Sequence, residues 1–330
     1  MDAYRAPRGL AGPHLQSVLA SLPLRERSVR RDATGLLARS TTEIVDCGNG
    51  VRLLGVHTPP AGAPGRMAVL IHGWEGSADS VYMVSAAARL YRSGYRVLRL
   101  NLRDHGGSHQ LNEGLFHSCL LAEVRDAVGA LQRRYPGERL CLGGFSLGGN
   151  FALRIAAEAG TAGLRIARVA AVCPVLDPRE TLRSLDEGLP HYRMYFTRRW
   201  RRSLQRKREA FPALYDFGWL GRFRTLRALT EHLVCNYAGF PDLDSYLRGY
   251  AVTGERLAGL SVPTEILLAD DDPVIPVRSA AALARPPALR VRRTRHGGHC
   301  AFIADYRLRS WLDDYIAGVF ESPRAGDHST

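Results

Sequence analysis

Short apolar runs recur along this chain, and segments of helical period separate them. Residues 67–71 and 140–143, and the longer stretch 166–175 with its one arginine, are apolar without alternation, the pattern of strands covered on both faces. Residues 96–102, 264–269 and 289–294 read as further strands. Between them 80–92, 118–135, 150–159, 277–284 and 301–319 read as helices, and in 118–135 Leu121, Val124, Val128 and Leu131 fall on one face. Residues 41–47 and 51–58 alternate and are β-branched, with Gly48-Asn49-Gly50 as the hairpin turn between them. Residues 1–40 read as irregular apart from a short helix over 14–21. Beyond the hairpin, strands and helices take turns. That rhythm predicts the α/β class: a mostly parallel, doubly wound sheet with helices on both faces. It breaks over 177–250, which is helical, aromatic and basic and holds no convincing strand. The expected organisation is an N-terminal extension (1–40) packed on a core (41–176 and 251–330), with an inserted helical cap (177–250) over the strand ends.

Composition changes this picture little. With 330 residues and 45% hydrophobic content, the chain suits an α/β core carrying an insertion. No apolar run approaches the roughly 18 residues that span a bilayer, and 1–31 does not read as a secretory signal. The six cysteines, at 47, 119, 141, 173, 235 and 300, are dispersed, with no Cys-x-x-Cys. Reduced, buried thiols and a cytoplasmic setting are expected. The net charge of +13 would suit a polyanion. Almost all of it is arginine, however, with Lys207 the one lysine, and such a bias often reflects coding composition. A specific nucleic-acid partner is not expected. Peripheral contact between the arginines of the cap and an anionic membrane is compatible with the pattern.

Candidate chemistry centres on Gly144-Phe145-Ser146-Leu147-Gly148, which follows a strand and opens a helix. Glycines on either side allow a turn sharp enough to expose the serine at the end of the sheet, facing a helix N-terminus. Such a nucleophile needs a base, and the base an orienting acid. Asp270-Asp271-Asp272 follows the strand at 264–269, and His296-Gly297-Gly298-His299 follows the strand at 289–294. Both lie at strand C-terminal ends, where α/β sites assemble. His299 is favoured over His296, because two glycines let its loop approach Ser146 and a helix beginning at Ala301-Phe302 would anchor it. Two backbone N–H groups should receive an oxyanion: Leu147, directly after the serine, and Trp74 in the loop His72-Gly73-Trp74-Glu75-Gly76. His72 is expected to support that loop rather than react. Arg103, Asp104 and His105 should brace the floor of the site. There is no phosphate loop, no His-Glu-x-x-His and no dinucleotide fingerprint after the first strand, so no cofactor and no metal are called for.

With these residues in view, the chain resembles the α/β-hydrolase superfamily and, within it, the YheT-like family of serine hydrolases. The likeness runs from about residue 7 to 320. It is carried by Gly12-Pro13-His14-Leu15-Gln16-Ser17, His72 to Ser77, Gly144 to Asn150, Gly239 to Tyr250 and Ala269 to Pro276. Asn101-Leu102-Arg103-Asp104-His105-Gly106 departs from the family pattern and leaves pocket shape open. Among the three aspartates the resemblance favours Asp272, which precedes Pro273 and lies four before Pro276, with Asp271 as runner-up. It implies carboxylic ester hydrolysis through Ser146, His299 and Asp272, on short-chain esters or monoacylglycerol-like lipids. Tyr192, Tyr195, Phe196, Trp200 and Phe217 of the cap would shape the acyl pocket. The alternatives are an acyltransferase or thioesterase with the same three residues, and a non-catalytic polyanion-binding protein on a hydrolase scaffold.

Overall fold

Gly48 and Gly50, at φ +79° and +76°, turn the chain between β1 (Thr41–Asp46) and β2 (Arg52–Thr58), which pair antiparallel. This hairpin edges an eight-stranded sheet in a computed structural model that describes residues 4–322. Residues 1–3 and 323–330, the outer ends of the first and last expected units, lie outside the described residues. The remaining strands are β3 (Arg66–Ile71), β4 (Arg96–Asn101), β5 (Arg139–Phe145), β6 (Ile166–Val172), β7 (Thr264–Ala269) and β8 (Leu289–Thr294). Their order is β1-β2-β4-β3-β5-β6-β7-β8. All neighbours from β4 to β8 pair parallel, and β2 runs against β4.

The unbroken apolar runs have a simple cause. Met67, Val69 and Ile71 of β3 face one layer of packing, and Ala68 and Leu70 face the other. The helices, in chain order, begin with α1 (Pro13–Leu19), α2 (Pro23–Asp32) and α3 (Thr34–Leu37). Then come α4 (Val81–Arg92), α5 (Leu121–Arg134) and α6 (Leu147–Glu158). α5 and α6 cover the first face; α4 and the C-terminal helix cover the second. The chain leaves β3 toward β4 on one side and later enters β5 on the other. The crevice at the C-terminal ends of β3 and β5 is therefore the switch point where α/β sheets bind ligands.

Residues 178–250 form α7 (Pro178–Glu187), α8 (Pro190–Ala210), a 3-10 turn (Gly218–Arg222), α9 (Leu226–Tyr237) and α10 (Leu243–Tyr250). Asp177, Thr225 and Asp242 cap α7, α9 and α10 through their side chains. Two small apolar clusters hold these helices together, one around Leu204, Phe217 and Leu233, the other around Leu243 and Tyr246.

Three expectations are corrected. The short helix expected over 14–21 is α1, but residues 23–37 are helical too rather than irregular: Pro23 occupies a first-turn position and Glu26–Arg30 pair at 2.9 Å, one turn apart. Residues 277–284 form only a 3-10 segment (Val277–Ala282), since Leu283 turns extended and bridges to Gly254. The last helix is α11 (Leu312–Glu321); residues 301–311 are irregular. Phe302, fully buried at φ +45°, plugs the core there, and Ile303 bridges to Ser310. A loop plug, not a helix, therefore anchors the segment after His299.

Candidate active site

Ser146 sits between β5 and α6 at φ +53° and ψ −117°, a backbone conformation that costs on the order of 1–3 kcal/mol for a non-glycine residue. Its surroundings enforce that turn. A Cβ on Gly144 would stand 2.2 Å from the Gly148 carbonyl oxygen, and one on Gly148 would stand 2.2 Å from that of Ile71. The Ser146 N–H donates to Val172 O at 2.9 Å, and its carbonyl accepts from Asn150 N–H at 3.1 Å.

The serine Oγ lies 3.0 Å from His299 Nε2. On the other side of the ring, Nδ1 lies 2.9 and 3.1 Å from the two Asp272 carboxyl oxygens. Asp272 Oδ1 also accepts the N–H groups of Val274 (2.8 Å) and Ile275 (3.0 Å), which fixes the carboxylate. The neutral imidazole is thereby the Nδ1–H tautomer, with Nε2 open to the hydroxyl proton. Burial works to lower the His299 pKa; the charge of Asp272, with smaller contributions from Cys300 and the Asp272 hydrogen bond, carries it up to about 9. The other acidic candidates go elsewhere. Asp271 holds His296 Nδ1 (3.2 Å) and the Gly298 N–H (3.0 Å), and Asp270 pairs with Arg293 at 2.7 Å.

The second loop at the switch point is equally constrained. A Cβ on Gly73 would approach Ser146 Cβ to 3.1 Å, so the backbone leading to Trp74 runs directly past the serine. His72, fully buried and with its pKa pushed down to about 3, chiefly by burial, accepts the Leu102 N–H at Nε2 (3.1 Å) and holds the Gly73 carbonyl at Nδ1 (2.7 Å). It supports the loop. The Trp74 ring stacks on Phe196 (5.2 Å) and meets Trp200 edge-on (5.1 Å).

A mostly apolar cavity of about 110 Å3 opens from Ser146, Leu147 and Trp74 beneath the cap. Phe196 and Trp200 line it. Tyr192, Tyr195 and Phe217, expected there, do not. Tyr192 bonds to His14 Nδ1 at 3.1 Å, Tyr195 is exposed, and Phe217 is buried in the cluster with Leu204 and Leu233. The cap is tied to the floor through Lys207, whose ammonium sits 2.8 Å from Asp104 Oδ1. Arg103 pairs with Glu123 at 2.6 Å in the same floor.

Two residues were given no role from the sequence. The Ser17 hydroxyl accepts the backbone N–H of His299 at 3.0 Å. The Gln16 carboxamide oxygen accepts that of Ile303 at 2.8 Å. Both belong to the 12–17 stretch that carries the family resemblance, and that was the only signal for them. Among the described residues, Cys173, His299 and Cys300 bring a possible metal-ligand trio together, but both His299 nitrogens are already engaged by Asp272 and Ser146.

A family model described as alpha/beta hydrolase fold matches residues 69–306. A protein of Escherichia coli (strain K12) named "Putative esterase YheT" is 25% identical over 327 residues, spanning 94% of this chain and 92% of that one. The human Protein ABHD15 is 25% identical over 325 residues, covering 94% of this chain and 67% of that one. In structure, an esterase of Pyrococcus furiosus, Pf2001, superposes with a TM-score of 0.56 at 17% identity, over 88% of this chain and 91% of that one. No helix among the described residues is long and apolar enough to cross a membrane.

Proposed function

Because this chain belongs to the alpha/beta hydrolase family, we propose that it hydrolyses carboxylic esters, with Ser146 as nucleophile, His299 as general base and acid, and Asp272 as the carboxylate that orients His299. The observation carrying this reading is the unbroken hydrogen-bond chain from Ser146 Oγ through the His299 ring to Asp272, at the mouth of an apolar cavity. Relatives and structural neighbours whose names say esterase support the substrate class.

His299 Nε2 takes the hydroxyl proton as Ser146 Oγ bonds to the ester carbonyl carbon. The negative charge on the carbonyl oxygen is received by the Leu147 N–H, at the start of α6, and by the Trp74 N–H. Collapse breaks the bond to the alcohol oxygen, which leaves with the proton from His299. Water then gives a proton to Nε2, attacks the acyl-serine, and frees acid and enzyme. The Asp272 carboxylate holds the ring and stabilises the imidazolium. The apolar lining from Phe196, Trp200, Leu182 and Leu233 suits a hydrocarbon acyl chain.

The test is fluorophosphonate labelling of the purified protein beside a p-nitrophenyl ester series of rising chain length. Labelling and turnover that vanish in Ser146→Ala, with the circular dichroism and Tm retained, are expected; the rate should fall about 10³-fold or more. Labelling that persists in that variant would refute Ser146 as nucleophile.

A further inference from the structure

Most polar groups that line the cavity already have partners: Asp104 with Lys207, Ser118 with Tyr246, Ser203 with the Asp104 carbonyl. Glu75 differs. It lines the same cavity as Ser146, directly follows Trp74 and is 8% exposed, yet among the described residues no hydrogen bond reaches its carboxyl. Its carboxyl Oε1 lies 4.0 Å from His105 Nε2. That nitrogen cannot donate. His105 Nδ1 lies 2.7 Å from the Arg103 carbonyl oxygen, which only accepts, so the ring proton is on Nδ1. Nε2 is then an acceptor, and it is used by the backbone N–H of Glu75 itself at 3.1 Å. Burial, above all, keeps His105 neutral by lowering its pKa to about 4.

Burial pushes the Glu75 carboxyl up to about 8, with Arg199 opposing and Asp104 assisting. Near neutral pH it is a carboxylic acid, able both to donate and to accept. A carboxyl that faces an apolar cavity without a protein partner adds nothing to the fold's hydrogen bonding, and glutamate at φ +56° adds backbone strain that glycine would avoid. The fold gains nothing visible from this side chain; a ligand would.

Resting on the ester-hydrolase reading, we infer that Glu75 receives a substrate hydroxyl close to the scissile ester, so that the preferred substrates are hydroxylated esters. A hydroxyl matches the paired donor and acceptor of the acid. An ammonium would meet the repelling fields of Arg199 and Arg206, which act on this carboxyl. The hydroxyl could belong to the alcohol part, as in a polyol monoester, or to the acyl part, as in a hydroxyacyl ester.

Matched pairs separate these sources: glycerol monobutyrate against propyl butyrate, and ethyl 3-hydroxybutyrate against ethyl butyrate. In one arm the wild-type protein should favour the hydroxylated member in kcat/KM by about tenfold, the worth of one hydrogen bond. Glu75→Met should reduce that ratio to near one. Glu75→Gly, which relieves the positive φ and removes the side chain, should do the same and guards against a misfolded Met variant. Less than twofold preference in both wild-type arms, or a preference that survives both substitutions, would overturn the assignment. Fluorophosphonate labelling of Ser146 runs alongside. A labelled enzyme without hydroxyl preference loses only the Glu75 assignment, whereas an unlabelled, folded wild type loses the hydrolase reading and this inference with it.

Discussion

Replacing Lys207 by methionine should unfold this protein far more easily than any exposed arginine replacement. The chain has one lysine among 45 basic residues, and it is fully buried. Its ammonium lies 2.8 Å from Asp104 Oδ1 and also donates to the carbonyl oxygens of Gly114 (3.1 Å), His109 (3.3 Å) and Asn112. Methionine fills much the same volume but supplies no donor. It would leave Asp104, 5% exposed, with only the Phe116 N–H at 2.8 Å. Breaking one side of a buried ion pair costs about 3–5 kcal/mol, a large part of the roughly 5–15 kcal/mol that holds a domain folded. Urea unfolding at pH 7 would read this as a lower midpoint. The deficit should narrow as the pH falls toward 4. Without its cation, the buried Asp104 carboxyl has a folded pKa above the unfolded value, so the folded state takes up the proton more readily. Adding Asp104→Asn, which suits the φ of +58° there, removes the stranded charge and should recover more than half the loss. A cost below about 1 kcal/mol for Lys207→Met, or a double variant no more stable than the single one, would refute the reasoning.

The remaining expectations concern catalysis. His299 must be unprotonated to accept the serine proton, and its pKa is raised to about 9, so kcat/KM on a soluble ester should climb with pH along a limb centred above 6.5; a limb at or below 6.5 would count against the geometry. Asp272→Asn leaves burial opposed only by the smaller contribution of Cys300, so the limb should move downward while kcat drops about 10⁴-fold, the scale set by such triads; a limb that stays in place would deny Asp272 its role. Ser17→Ala removes the acceptor for the His299 N–H at a cost of about 1 kcal/mol, so kcat should fall several-fold with KM nearly constant, and Ser17→Thr should restore it. Equal kcat in the alanine variant would make Ser17 a bystander.

The sheet was legible because its strands are covered on both faces. Covered strands are mostly apolar on both faces, and the runs at 67–71 and 166–172, the second broken only by Arg168, declare that locally. The turn around Ser146 was legible for a related reason: glycine at 144 and 148 is demanded by backbone atoms within 2.2 Å, so the pattern is a steric necessity written into five consecutive residues. The segment after His299 was misread because Phe302, Ile303 and Tyr306 fall at helix-like spacing. Phe302 is buried in the core in a left-handed conformation instead, and no short-range pattern predicts that. Ser17 was invisible for a different reason. Its partner lies 282 residues away, and a single polar side chain leaves no periodicity to detect.

The cap shows how a correct composition can still leave direction undecided. Aromatics and arginines alternate along α8, which marks it as a surface helix near something apolar but does not say which side faces the cavity. Helical geometry does. Residues 196, 200 and 204 follow one another at steps of four, and 207 completes the stripe at a step of three, so Phe196, Trp200, Leu204 and Lys207 share a face. All four line the cavity. Tyr195 is one residue off that row and stays exposed, whereas Tyr192 is on the row one turn earlier and reaches past the cavity to His14. That last contact gives the stripe a further consequence. α8 is held at one end by Tyr192 against the segment whose Ser17 supports His299, and at the other by Lys207 against the floor of the site. A cap fastened at both ends of its lining helix sets the position of Phe196 and Trp200 over Trp74. The shape of the cavity beside Ser146 therefore depends on two polar anchors as much as on the aromatic rings between them.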